Sequence, residues 1–284
     1  MKVILAGIFR FLFQSRFFKK RFFGIHKRIF TPFNLFKGVK RTIRFHGIKL
    51  NLHIDDWIQE NIYFLGEYEN AELKSIHNFL TEKSVFIDIG ANIGLYTLYA
   101  SRLVSYKGKV ISFEPFPRNH AALVKNVKLN GFNNITCEKM AVGEREDFIK
   151  LYYDENEHNL GMVTAMPVDQ GISEDVKVTS LDDYLQVHPV VKIDLIKIDV
   201  EGFEYNCLKG MKNTLSKFKP SLLIEILKDN ESAQNENSHS LLKELGYRKY
   251  YIDDNGNISE HETNPERRNY IFKPEHFKSS KTSV

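Results

Sequence analysis

The stretch Asp88-Ile89-Gly90-Ala91-Asn92-Ile93-Gly94 sets an acid and two glycines at a spacing that suits a bound small molecule. An apolar run, Val85–Ile89, precedes it and a helical pattern follows, so the glycines fall in the turn between strand and helix. Glycine lets backbone come close to a ligand without a Cβ in the way, and the start of the next helix offers free N–H groups to an anionic end. The spacing is D-x-G-x-x-x-G and departs from the G-x-G-x-x-G dinucleotide fingerprint. Glu114 ends the run Val110–Phe113, where its two acceptor oxygens match the two vicinal hydroxyls of a ribose. Asp199 and Glu201 stand at the carboxyl end of the run Leu195–Ile198, with Glu204 close behind. Carboxylates crowded in this way repel one another, which raises a pKa toward the working range of a general base. Glu225 is an acid inside the apolar run Leu222–Ile226, a costly placement unless it is paired or faces a site. His158, Asn159 and Gly161 lie in a polar loop suited to substrate contact, with His158 a further base. Oxygen ligands from Asp199, Glu201 and Glu225 would suit Mg²⁺, but this is the weaker use and no metal site is expected.

These residues need a frame that brings strand ends together. Candidate strands at Val85–Ile89, Val110–Glu114, Ile135–Met140, Leu195–Asp199 and Leu222–Ile226 alternate with candidate helices at Gly94–Val104, Pro117–Asn130, Glu204–Leu215 and Ser238–Leu245. That rhythm predicts a parallel sheet covered on both faces, with ligands held at the carboxyl ends of its strands. The stretch Asp147–Val178 interrupts the rhythm and reads as a substrate insertion at that edge. Tyr247–Asp253 and Asn269–Phe272 read as two closing strands. Upstream, Thr42–Ile54 alternates around Gly47 as a hairpin does, and two short helices are expected near Asp56–Phe64 and Asn70–Leu80. The expected organisation is an N-terminal extension over 1–36, a hairpin and helices over 37–82 covering the cofactor site, a catalytic domain over 83–277 with its insertion at about 147–178, and a frayed tail over 278–284.

Of the 284 residues 42% are hydrophobic, enough for a sizeable core without disulfide staples. The two cysteines, Cys137 and Cys207, match no metal-ligand spacing and are expected as reduced thiols in a cytoplasmic protein. The net charge of +4 hides an asymmetry. No Asp or Glu occurs from Lys2 to Arg44, while basic residues alternate with phenylalanines through that stretch. Its apolar run is broken by Arg10 and is too short to span a bilayer. Rings at the acyl boundary and charges at anionic headgroups would place residues 1–36 on the inner face of a membrane, as a peripheral contact. Packing of the segment on the body or on a second subunit is the other expectation. Nucleic acid is not an expected partner, because no recognition motif accompanies the charge.

Taken together, the motifs resemble those of the FkbM family of S-adenosylmethionine-dependent methyltransferases. The resemblance runs from about Gly66 to Ile226. It is carried by Gly66-Glu67-Tyr68-Glu69, Phe86–Gly94, Phe113-Glu114-Pro115, Ala141-Val142-Gly143, Thr179-Ser180-Leu181-Asp182 and Ile196–Gly202. It implies an α/β class I methyltransferase fold: a Rossmann-like, mostly parallel sheet of seven strands whose last strand is antiparallel. It also implies methyl transfer from S-adenosylmethionine to oxygen. By position, Asp88, Gly90 and Asn92, with Gly94 closing the loop, would hold the methionine end of the cofactor. Glu114 would take the ribose, Pro115, Phe116 and Ala141 would lie near the adenine, and Tyr68 and Glu69 would close over it. Asp199 and Glu201 would face the transferring methyl.

The expected acceptor is a sugar hydroxyl in a glycan, glycolipid or glycosylated metabolite. Asp199, then Glu201, then His158 is the expected order of preference for its base, and Asn159, Gly161 and Glu225 are its expected contacts. Two alternatives stand beside this reading: a nicotinamide-dependent oxidoreductase, which the glycine spacing disfavours, and a membrane-associated binding protein with an inactive cofactor pocket.

Overall fold

The computed structural model describes residues 1–153, 172–226 and 233–275. His158, Asn159, Gly161 and the tail from 278 lie outside the described residues.

The chain begins with helices α1 (Lys2–Phe13), α2 (Arg16–Lys19) and α3 (Phe22–Ile25), followed by a π-helical turn at His26–Phe30. No helix among the described residues is long and apolar enough to cross a membrane. Strands β1 (Lys40–Phe45) and β2 (Ile48–His53) form the expected hairpin, with Phe45 opposite Ile48 across the turn. Helix α4 (Trp57–Leu65) starts where the Asp56 side chain accepts the Gln59 N–H at 3.0 Å, and α5 (Asn70–Ser75) follows.

The alternating frame then runs β3 (Val85–Ile89), α6 (Leu95–Val104), β4 (Lys109–Phe113), α7 (Pro117–Asn130) and β5 (Ile135–Glu138). A short β6 (Ala141–Val142) joins β7 (Asp147–Tyr153) and β8 (Ile172–Thr179) in a separate three-stranded sheet, so the insertion is built on a hairpin. Helix α8 (Leu181–Val187) is capped by Ser180, whose hydroxyl accepts the Asp183 N–H at 3.0 Å. The sequence pattern did not single out this helix. Strand β9 (Leu195–Ile198) leads to α9 (Glu204–Lys209) and α10 (Lys212–Phe218), where one helix was expected. The break has a local cause: the Asp182 carboxylate accepts N–H groups from Asn213 and Thr214, at 3.0 and 2.8 Å, and so caps a new helix. Strand β10 (Ser221–Glu225), helix α11 (Ala233–Glu244) and strands β11 (Tyr247–Ile252), β12 (Ile258–Ser259) and β13 (Asn269–Pro274) complete the chain.

The main sheet has the order β12-β11-β13-β10-β9-β3-β4-β5. Strands β10, β9, β3, β4 and β5 are mutually parallel, and β13 lies antiparallel between β10 and β11. This is the mostly parallel sheet with an antiparallel last strand that the resemblance implies, with an eighth strand, two-residue β12, added at the edge beyond the expected seven.

Alternation along the strands feeds two cores. Phe86, Leu195 and Leu223 join one, and Ile87, Ile196, Leu222 and Ile224 the other. Burial on both faces explains why these strands read as continuous apolar runs.

The N-terminal segment is part of the first core. Ala6, Phe13, Phe22, Phe30 and Phe36 are buried there. Phe13 meets Phe64 at 5.9 Å between ring centroids, edge to face, and Phe22 meets Trp57 at 6.2 Å. The segment is thus bound to helix α4 by aromatic packing along one of its sides.

Candidate active site

The chain leaves β3 for β4 and β5 on one side and returns to β9 on the other, so the topological switch point lies between β3 and β9. A cavity of about 310 Å³ opens there. Crossing the strand ends from β10 to β5, it meets Glu225, then Asp199 and Glu201, then Gly90–Asn92, then Glu114–Phe116, then Met140 and Ala141. With strands about 4.8 Å apart, that crest is about 19 Å long. Carboxyl groups crowd its β9–β10 side, and Phe116, Met140, Ile149 and Leu151 make its β5 side apolar. Tyr68, Glu69 and the α4 residues Trp57, Ile58 and Ile62 complete the wall.

Eleven of the residues singled out from sequence line this one cavity: Tyr68, Glu69, Gly90, Asn92, Glu114, Pro115, Phe116, Ala141, Asp199, Glu201 and Glu225. Asp88 and Gly94 lie beside it and do not line it. Asp88 is fully buried in β3, where its Oδ2 accepts the Thr97 hydroxyl at 2.6 Å. Its other oxygen has no hydrogen-bond partner among the described residues. Burial raises the Asp88 pKa, with Lys197 acting against the rise.

The glycines also do something other than the expected approach to a ligand. Gly90 has φ +81°, and a Cβ there would fall 1.8 Å from the Asp199 carbonyl oxygen. A Cβ on Gly94, at φ +92°, would fall 2.5 Å from Leu123 Cδ1. The loop is therefore pressed against the β9 end and against α7, and its glycines make that packing possible. Backbone strain gathers at the same place. Glu69, Asn92 and Glu201 have φ of +47°, +50° and +50°, a conformation uncommon for non-glycine residues, and all three line the cavity.

Glu114 is buried, and its two oxygens accept backbone N–H groups from Asn92 at 2.7 Å and Phe116 at 2.9 Å. Burial nevertheless pushes its pKa to about 7, against the pull of those two hydrogen bonds. Each oxygen keeps a lone pair for a ligand hydroxyl.

Lys197 belongs to the cavity lining although the sequence did not single it out as a site residue. It lies directly across from Asp88 in the β3–β9 register and is 3% exposed. Its Nζ is 2.8 Å from Asp199 Oδ2 and 4.7 Å from the centre of the Tyr96 ring. Burial alone would lower the ammonium pKa, but Asp199, Asp88 and Glu69 outweigh it and hold the group charged. Lys197 in turn overcomes the effect of burial on Asp199, whose pKa is lowered, helped by a hydrogen bond from Glu225. Glu225, pushed to about 9 by burial and by Asp199, is the neutral donor of that bond. Glu201 is raised to about 7 by burial, then by Asp199 and Glu204. Glu69 is likewise raised to about 7 by burial. Glu204 lies outside the cavity lining; its Oε1 accepts the Gly202 N–H at 3.0 Å and steadies the turn that presents Glu201. The signal for Lys197 was a lysine inside an otherwise apolar strand, two residues from Asp199 and so on the same face.

This donor set fits S-adenosylmethionine. Among the described residues five carboxyl groups line the cavity, and the only basic one in the lining, Lys197, is already committed to Asp199. A cationic ligand with a ribose and an apolar base matches that order of groups. A dinucleotide would bring a pyrophosphate to a lining that has no free cation for it among the described residues.

Residues 88–249 match the model of the FkbM methyltransferase domain. Methyltransferase 1 of Beauveria bassiana is 26% identical over 148 residues, covering 46% of this chain and 59% of its own length. Methyltransferase sdnD of Sordaria araneosa is 30% identical over 164 residues, covering 46% of this chain and 62% of its own. The chain thus spans about three fifths of the length of these curated relatives. A crystal structure of an FkbM methyltransferase from Methylobacillus flagellatus aligns over 75% of this chain and 52% of its own, at 19% identity and a TM-score of 0.45. The fold and site define a class I methyltransferase domain. The chain belongs to the FkbM methyltransferase domain family, and S-adenosylmethionine is the cofactor that membership assigns to it.

Proposed function

We propose that this protein transfers a methyl group from S-adenosylmethionine to a hydroxyl, in particular a sugar hydroxyl of a glycan, glycolipid or glycosylated metabolite. The observation that carries the reading is the order of groups along the crest: carboxyls over β9 and β10, the Gly90–Asn92 loop at its middle, Glu114 over β4, an apolar slot beyond it. S-adenosylmethionine supplies an electrophilic methyl on a sulfonium. Gly90 and Asn92, which follow the buried Asp88 at the end of β3, hold the methionine end. Glu114 accepts both ribose hydroxyls, while Pro115, Phe116 and Ala141 bound the adenine. Tyr68 and Glu69 cover the site.

Transfer to a hydroxyl needs a base for a poorly acidic proton, together with alignment at near-attack distance. Glu201, at about 7, suits that role better than Asp199, whose charge is already stabilised by Lys197 and Glu225. Asp199 then serves as a fixed negative charge facing the sulfonium, held by its two neighbours. Trp57 and Tyr68 offer aromatic walls, and the carboxyls offer acceptors, for a polyhydroxylated substrate. His158, Asn159 and Gly161 remain acceptor contacts by this reading. The basic segment 1–36 is the side of the protein that meets an anionic membrane.

Calorimetric titration with S-adenosylhomocysteine, with NAD in parallel, tests the reading. Binding of the first alone supports it and opens a screen of glycan acceptors with methyl-labelled cofactor. Binding of NAD alone overturns it.

A further inference from the structure

The exposed apolar surface of this protein is concentrated at one end of its sequence. Nine of the fourteen exposed large apolar side chains among the described residues lie within the first 33 residues. Helix α1 is apolar on two sides. Ala6, Phe9 and Phe13 turn into the core, while Ile4, Ile8 and Phe11, spaced by four and three, form an outward stripe. Ile4 and Phe11 are 70% and 79% exposed. The inner side already meets the body, so the outer stripe is not needed for folding.

The segment itself carries charge of one sign. No acid occurs before Asp55. Arg16, Lys20, Lys27 and Arg28 are exposed and form no ion pair among the described residues. Lys19 is the exception, paired with Glu67. Apolar side chains that project outward amid unpaired cations are complementary to acyl chains beneath anionic headgroups.

Another exposed ring of the same segment reaches the active-site cavity. Phe23, 66% exposed, packs edge-on against Trp57 at 5.3 Å between ring centroids, and Trp57 lines the cavity. Helix α4, which carries Trp57, Ile58 and Ile62 to the cavity, is the helix on which the segment is packed.

Building on the cofactor reading above, we propose that the outward stripe of α1, with the cations that follow it, docks the protein on an anionic bilayer and sets the Trp57 side of the cavity at the lipid surface. Of the three acceptor settings, a glycolipid is the one such a cavity meets.

Trp57 is the only tryptophan, so its fluorescence reports the cavity wall alone. The full chain is mixed with phosphatidylcholine vesicles containing phosphatidylglycerol, with and without brominated acyl chains. We expect co-sedimentation that weakens with salt and quenching of Trp57 by the brominated lipid. An Ile8→Glu, Phe11→Glu double variant should bind vesicles at least about tenfold more weakly and keep its S-adenosylhomocysteine affinity and melting temperature. Absence of co-sedimentation in low salt, or equal binding by the double variant, overturns the docking face. Co-sedimentation with Trp57 unquenched overturns the placement of the cavity and, with it, the preference for a glycolipid. Quenching by vesicles in a protein that fails to bind S-adenosylhomocysteine supports the docking face while refuting the cofactor reading, so the two fail separately.

Discussion

Glu114→Gln separates binding from folding at this site. The side chain is buried and keeps its size in the variant, but one of its two oxygens becomes an amide that cannot accept. Either the Asn92 N–H, now 2.7 Å from Oε2, or the Phe116 N–H, 2.9 Å from Oε1, loses a charged acceptor. That loss costs about 1.5–3 kcal/mol. Against it stands the burial of the charge itself. A carboxyl moved from 4.5 to about 7 is ionised in the fold at a cost of about 3 kcal/mol above pH 7. Because the folded value lies above the unfolded one, the Glu114 contribution to stability is full below 4.5 and is lost as pH rises through about 7. That cost is already net of the two hydrogen bonds, and the amide resembles the protonated carboxyl, so at pH 8 the variant should melt no lower than the parent. Binding should still weaken. The ribose loses a charged acceptor, so S-adenosylhomocysteine affinity should fall roughly ten- to a hundredfold at pH 8. Near pH 5.5 the parent's own Glu114 is protonated, and the two proteins should converge. Calorimetric titration and thermal melting at both pH values test this. Equal affinity at pH 8 would refute the ribose assignment. A melting temperature that falls together with affinity would make Glu114 a structural residue of the Gly90–Asn92 loop.

Four other outcomes follow from the geometry. S-adenosylhomocysteine affinity of the parent should drop up to about tenfold per pH unit below 7, as Glu114 takes up its proton; a flat profile from pH 8 to 5.5 would contradict the raised value. Glu201→Gln should lower the methyl-transfer rate by about a hundredfold on any hydroxyl acceptor found by label transfer, and remove the rate inflection near 7, with cofactor affinity unchanged. Gly90→Ala should destabilise by about 2–3 kcal/mol in urea, since its Cβ meets the Asp199 carbonyl at 1.8 Å in a left-handed conformation. Phe13→Ala should cost about 3–5 kcal/mol in the same assay, because its ring is fully buried among Phe22, Phe30 and Phe64; a loss below about 1 kcal/mol would mean that α1 is not anchored to the core.

The sequence by itself determined the parallel frame and most of the crest. Strands buried on both faces must be continuous apolar runs, and an acid that ends such a run, as Asp199 and Glu114 do, stands out against it. The Asp88–Gly94 turn was legible for the same reason: glycine spacing is local. What each group does depended on contacts between distant segments. Gly90 reads in the sequence as a glycine that clears room for a ligand; with β9 beside β3 it lines the cavity and also leaves room for the Asp199 carbonyl. Lys197 reads as a stray charge until the register sets it across from Asp88, with Asp199 two residues on and Glu225 one strand over. Only then is Asp199 held as an anion by Lys197 and Glu225 while Glu201 is raised to about 7, which is why the proposed base is Glu201 ahead of Asp199. The N-terminal segment divides in the same way. Its basic, aromatic composition was plain in the sequence. Only the tertiary structure decided which side of α1 is spent on the core and which is left outward, because burial is settled by what lies across from a helix face rather than along it.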